Sequence, residues 1–333
     1  MRISNLILLG LTLLLTSTQV NGQKKRAQTS MKFLSVSPSA RASALSDAVT
    51  SVEMGAYSAF YNPATMTNID SKFSATAGAV QWITDINHNS LSFLYRPADG
   101  RFGVFGLNAV SVDYGDIQST VVDENESLGY RDNGFFSPTA MVIGLSYANA
   151  ITDQFSVGAN FRYAEQDLGS VVTGSDGSGG YINQSYSAST GVLDFGVLYK
   201  TGFESLNFAM ALRNFSPEIS YDDENSELPL TFKIGVSMNV FDLTELNDHS
   251  LLVSIDANRP RDYDEQLLFG LEYSFIDRFI VRGGYGFPKD EEKLSFGLGI
   301  RQPVSGIDLG VDYSYTQFGV FGEVNRISVQ LGF

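Results

Sequence analysis

The chain has no cysteine and only two histidines among its 333 residues. This excludes a disulfide framework, a thiolate metal centre, a cysteine nucleophile and a thioether-linked lipid anchor. Charge is also sparse: Asp, Glu, Lys and Arg make up 18%, below the roughly 25% usual for soluble domains. The charge present is lopsided, with 37 acidic residues against 22 basic and a formal charge of −15. A phosphate-binding surface needs the opposite excess, so nucleic acid is excluded as a partner. Hydrophobic residues at 43% and aromatics at 12% exclude a disordered chain. No apolar run approaches the roughly 20 residues of a membrane-spanning helix.

The longest apolar run lies at the start. Arg2 precedes Leu6 to Leu15, and a polar stretch then leads to Val20-Asn21-Gly22. This order predicts a secretory signal peptide over residues 1–22, with Gln23 as the mature start. The chain is expected to be exported.

From Phe73 onward the dominant period is two. Leu294, Phe296, Leu298 and Ile300 alternate with Ser295, Gly297, Gly299 and Arg301. Phe155, Val157, Ala159, Phe161 and Tyr163 alternate with Ser156, Gly158, Asn160 and Arg162. One face is apolar; the other is Gly, Ser, Asn, Asp or Arg. In a soluble sandwich the apolar face would pack inward over short strands. In an outer-membrane barrel it faces lipid, over strands of roughly 9–11 residues. These runs are long, and Tyr95, Tyr147, Tyr163, Tyr199, Tyr273, Phe275 and Tyr285 sit near their ends, where an interfacial aromatic girdle belongs. The expected fold is all-β, a transmembrane antiparallel β-barrel over residues 72–333. Glycines on the polar face are read as letting the strands curve into closure.

About fourteen runs can be counted: 73–81, 88–96, 102–112, 138–148, 154–166, 186–199, 205–214, 231–241, 249–259, 265–275, 279–286, 293–301, 306–316 and 323–333. An even number suits a bacterial barrel. The connections after the second, fourth, sixth, tenth and twelfth runs are short, and those after the third, fifth and seventh are long, polar and acidic. Short turns then face the periplasm, long loops face the exterior, and both chain ends fall in the periplasm. Ile327, Val329, Leu331 and Phe333 close the chain in strict alternation. A terminal aromatic in that setting resembles the signal read by the outer-membrane assembly machinery, which assigns that role to Phe333.

Between leader and barrel lie Ser39-Ala40-Arg41-Ala42-Ser43-Ala44-Leu45-Ser46-Asp47-Ala48 and Ala59-Phe60-Tyr61-Asn62-Pro63-Ala64. These two stretches resemble the N-terminal signature of the PorV/PorQ family, barrels of the FadL-like superfamily in Bacteroidetes-type bacteria. Arg41, Asp47, Asn62 and Pro63 are the positions matching that signature, and Ser46 stands where the family usually has Gly. The segment 23–71 is read as a plug or hatch-like element in the barrel mouth, with a periplasmic strap as the alternative. Its alanines allow close backbone approach, and Asn62-Pro63 reads as a turn. Arg41 is expected near acidic residues of the lumen. The resemblance implies association with type IX protein secretion, through translocon components or the C-terminal β-domains of cargo. FadL-like passage of a hydrophobic small molecule is the alternative, although the polar strand faces show no continuous apolar track.

Chemistry-bearing constellations are poor. His88 and His249 each begin a strand, far apart, and are read as solvated strand-end residues rather than a catalytic base. Asp123-Glu124-Asn125-Glu126 and Asp222-Asp223-Glu224 lack the spacing of a calcium loop. Ser175 to Gly180 reads as a flexible loop without the strand-to-helix context of a phosphate cradle. No enzyme activity, cofactor or metal is expected. Arg162, Asp194, Asp256, Glu272, Arg282, Arg301, Asp308 and Asp312 fall on the polar face. They are read as a salt-bridged filling, with an ion-selecting interior as the alternative. The partners expected are outer-membrane lipid, the assembly machinery and secretion components. The loops at 113–137, 167–185 and 215–230 carry Tyr, Asn, Ser and Gly suited to adaptable protein contacts.

Overall fold

A computed structural model describes residues 29–123, 126–175, 180–222, 224–244, 248–289 and 292–333. The expected leader lies outside them. The strands are β1 Phe73–Gln81, β2 Asn87–Tyr95, β3 Val104–Asp113, β4 Ile117–Val122, β5 Tyr130–Phe136, β6 Thr139–Ala150, β7 Phe155–Ser175, β8 Tyr181–Lys200 and β9 Asn207–Phe215. There follow β10 Ile219–Ser220, β11 Asn225–Ser226, β12 Thr231–Asn239, β13 His249–Pro260, β14 Gln266–Phe275, β15 Phe279–Phe287, β16 Leu294–Val304, β17 Ile307–Gln317 and β18 Glu323–Gly332. Fourteen of them close into one antiparallel barrel, while β4–β5 and β10–β11 form two separate hairpins.

Alternation places the side chains inside out. Leu91, Leu145 and Phe296 are 62%, 61% and 55% exposed, while their neighbours Ser92, Ser146 and Ser295 are 4%, 5% and 2% exposed. A water-soluble fold would reverse these values. Strands β1 and β2, nine residues each, have the length needed to cross a hydrocarbon layer. Closure gives each of the fourteen strands a partner on both sides across the lipid-facing part of the wall, as lipid demands. At the seam the Phe73 amide donates to the Phe333 carbonyl at 2.7 Å, and Phe333 returns the bond at 2.9 Å. Their rings stand 5.4 Å apart, beside Tyr95.

Several expectations need revision. β7 and β8 run 21 and 20 residues, so most of 167–185 is paired ribbon and not loop. Polar Ser, Thr and Gly there hide a ladder that hydrophobic alternation does not report. Tyr163 consequently lies within β7 and not at its end. The expected loop 113–137 likewise contains the paired hairpin β4–β5. His88 is buried beside Trp82, and His249 Nδ1 lies 2.6 Å from the Tyr273 hydroxyl; neither is a simple solvated end. Asp308 shares the inward parity but is exposed at the strand's first turn.

Candidate functional site

Residues 29–71 lie within the barrel, and their geometry follows from a few local choices. Ser39 caps the short helix Ala40–Ala44, and its alanines are fully buried. The helix ends on Ser46, in the left-handed region at φ 54°, and the Asp47 amide bonds back to the Ala42 carbonyl at 2.8 Å. This is a C-terminal cap that favours glycine. The Ser46 hydroxyl is buried without a hydrogen-bond partner. Ser46→Gly is therefore expected to stabilise the folded barrel by about 1–2 kcal/mol, read as a higher urea midpoint in detergent.

Asn62 and Pro63 form the second anchor. Asn62 caps the 3-10 helix Pro63–Asn68, with proline at the helix start, where its missing N–H is no loss. Its Oδ1 accepts from the Ala64 amide at 3.0 Å. Its Nδ2 donates to the Thr50 carbonyl at 2.8 Å and to the Val197 carbonyl on β8 at 3.2 Å. Asn62→Ala leaves these buried backbone groups unpaired, at an expected cost of about 3 kcal/mol. Asn62→Asp, which turns the donor face into acceptors, is expected to be no better. Urea titration of the pair checks both.

Arg41 belongs to a chain of alternating charge. Its Nε and Nη2 donate to both Glu272 oxygens at 2.8 Å. Glu272 also accepts from Arg282 at 2.5 Å, Arg282 reaches Asp312 at 2.7 Å, and Arg301 holds both Asp312 oxygens at 3.0 and 2.9 Å. Room for the guanidinium groups comes from Gly299 and Gly310, where a Cβ would meet Arg282 and Arg301. On the opposite wall Arg162 joins Asp194 at 2.5 Å and Asn214 at 2.6 Å, and Asn160 donates to the Ala59 carbonyl at 3.1 Å. Asp47 accepts from Ser37 at 2.6 Å, and its carbonyl accepts from Lys233 at 2.8 Å. Asp256 accepts from the Thr50 hydroxyl at 2.6 Å. The inward charges thus pair with one another or with the luminal segment, with Asp308 the exception already named. Buried charge is tolerated here because each group finds an opposite charge or a hydrogen bond.

Glycines on the inner wall do more than allow curvature. A Cβ at Gly196 would meet Asn62, one at Gly158 the Pro63 backbone, and one at Gly284 the backbone of Ala44 to Ser46. At these three points the wall is bare so that the luminal backbone can touch it.

The segment also runs the length of the barrel. Its start pairs with the long-loop end: the Ser30 amide donates to the Glu227 carbonyl at 2.9 Å, Thr29 donates to Asp262 at 2.9 Å, and Lys32 pairs with Asp262. Its end enters β1 at the short-turn end. The barrel's own ends, Phe73 and Phe333, share one side; the expected mature start at Gln23 lies outside the described residues. Near the outer end the inner wall is apolar, again unlike the expectation: Val112, Ala140, Val142, Ala164, Ala188 and Val192 surround Met31, Phe33 and Leu34. The chain fills this apolar space itself. Alternation concealed it, because these strands are apolar on both faces.

Comparison with protein families matches residues 19–259 to type IX secretion system protein PorV. The chain belongs to the PorV family. No curated protein matches it. Solved structures show the same barrel at low identity. The Pseudomonas putida toluene transporter TodX has a TM-score of 0.56 and 12% identity, covering 93% of this chain and 98% of TodX. The Ralstonia pickettii toluene transporter TbuX has a TM-score of 0.52 and 15% identity, covering 86% of this chain and 96% of TbuX. A Pseudomonas aeruginosa FadL homologue has a TM-score of 0.53 and 12% identity, covering 90% and 98%. These likenesses concern the fold. As a PorV protein, the chain is an outer-membrane barrel associated with type IX secretion. Short turns then face the periplasm, and the hairpins and the end carrying Thr29 face the exterior.

Proposed function

We propose that this PorV protein acts at the outer face of the membrane as a docking platform for translocon components or the β-domains of secreted cargo, and not as a conduit. The observation that carries this reading is the filled lumen: the luminal segment is held to β7, β8, β12, β13, β14, β17 and β18 by hydrogen bonds and the Arg41–Glu272 pair. It occupies the apolar chamber as well as the polar one. Residues 23–71 serve as the plug, residues 1–22 as the cleaved leader, and Phe333 as the assembly signal. Binding and positioning account for the role without catalysis.

The partner-facing surface is the outer rim. Val122, Leu128 and Phe135 on and around the β4–β5 hairpin are 81%, 72% and 70% exposed, an apolar display on an element outside the barrel wall. Replacing residues 115–137 with a short turn is expected to leave a heat-modifiable barrel and to abolish release of secreted proteins. Retained secretion, together with lost uptake of a long-chain hydrophobic compound on gene deletion, would favour FadL-like transport instead.

A further inference from the structure

Among the described residues, the pairing around the barrel wall breaks off early between β8 and β9. β8 pairs with β7 from Lys200's end up to Tyr181, but its pairing with β9 stops at Leu193–Phe215. Above that level, among the described residues, no strand is hydrogen-bonded to the backbone of Ser185 to Val192 on the β9 side; the β10–β11 hairpin lies near β8, with Ile219 packed by Ala188 and Val192, but it pairs only with itself. The sequence enforces the stop. The register slips by one residue between Leu193 and Phe195, an inserted residue of the bulge kind. Asn214 sits there at φ 62°, and its amide is diverted from the ladder to Asp194 at 2.8 Å. Its side chain is tied down by Arg162 at 2.6 Å and the Pro229 carbonyl at 2.9 Å. Pro217 then follows, with no N–H to offer a neighbouring strand.

The height of this edge is given by its outward neighbours. On β7, Phe161 and Tyr163 are the last exposed apolar side chains before Glu165 and Asp167. Tyr163 pairs with Gly191 and Glu165 with Ser189. The free edge therefore begins at the aromatic boundary of the membrane and continues outward into water. Lipid has no hydrogen bonds to give it. An open row of N–H and C=O groups is matched by another extended backbone. Exposed Glu165, Asp167, Glu218, Asp222 and Glu224 flank it, which selects a strand bearing lysine or arginine.

We infer that the β8 edge from Ser185 to Val192 is a strand-addition site for a basic, extended segment of a secretion partner. The inference rests on the docking reading above, since it requires a protein partner at the outer face. The absence of cysteine makes a single introduced thiol unique. Ser187→Cys and Ser189→Cys place one on the edge, and Gln317→Cys, at the outer end of β17, serves as control. Each variant is treated in native outer membranes with a thiol-to-amine crosslinker, and the adducts are mapped by mass spectrometry.

The expected result is adducts to a secretion component or secreted protein, about tenfold above the control. The partner sites for 187 and 189 should lie two residues apart, because antiparallel or parallel pairing steps both strands together. Pro217→Val, which lets β9 continue, should remove these adducts while the barrel stays heat-modifiable. A partner that co-purifies but crosslinks without the two-residue step, or equally in the Pro217→Val variant, overturns the edge site and leaves the docking reading standing. Absence of any co-purifying partner, with secretion unaffected by gene deletion, overturns the docking reading itself.

Discussion

Arg41→Ala is expected to destabilise the folded protein by about 3–5 kcal/mol, the cost of stripping one partner from a buried pair. The reason lies in the order of charges from Arg41 through Glu272, Arg282 and Asp312 to Arg301. Arg41 is the member contributed by the luminal segment. Its loss leaves Glu272 sharing Arg282 with Asp312 and frees the helix Ala40–Ala44 from β14. The barrel ladder is untouched, so the strand pairing should survive while the segment becomes open to protease. Arg41→Lys should recover only part of the loss, because one ammonium cannot span both carboxylate oxygens. Arg41→Met combined with Glu272→Met should recover more, because the uncompensated charge disappears with its partner. Limited proteolysis and urea titration in detergent distinguish these outcomes; equal protection of Arg41→Ala and the parent would contradict the arrangement.

The second large effect is steric. A Cβ at Gly284 would stand 2.8 Å from the Ala44 carbonyl and nearer still to the Ser46 amide nitrogen. Those are backbone atoms of a capped helix and cannot swing aside. Gly284→Ala is expected to cost about 3 kcal/mol by overpacking and to expose the luminal segment to protease. Gly283, its sequence neighbour, faces outward, and a Cβ there meets nothing within 4 Å. Gly283→Ala is the matched control, expected to be neutral within about 0.5 kcal/mol. Similar losses for both would mean that strand propensity, and not contact with the luminal segment, selects glycine at 284.

The outward half of the barrel was open to reading from sequence because lipid imposes a strict rule. Every second side chain along a spanning strand must be apolar, and runs such as Leu294 to Ile300 obey it. All fourteen runs correspond to barrel strands in the structure. The inward half follows no such rule, since it answers to a segment distant in sequence. Gly284 and Gly196 look like spacers until Ala44 and Asn62 are set against them. Val142 and Val192 look like ordinary strand residues until Phe33 and Leu34 are seen between them. The polar ribbon above Asp167 was invisible because its pairing needs backbone alone. Motif residues such as Arg41 and Asn62 could be picked out, but not their partners Glu272 and Val197, which only closure of the sheet brings near.

The luminal segment has one further consequence. Its first described residue is fastened among the outer loops, whereas the strand it leads into starts on the opposite side of the membrane. The polypeptide therefore passes through its own hoop. Such a thread is not easily drawn through a finished hoop already crowded with paired charges, so the hoop must be sewn around it. The stitch between Phe73 and Phe333 is then the last one made, and whatever guides the final strand home must wait for the opening stretch of the chain to be laid in place.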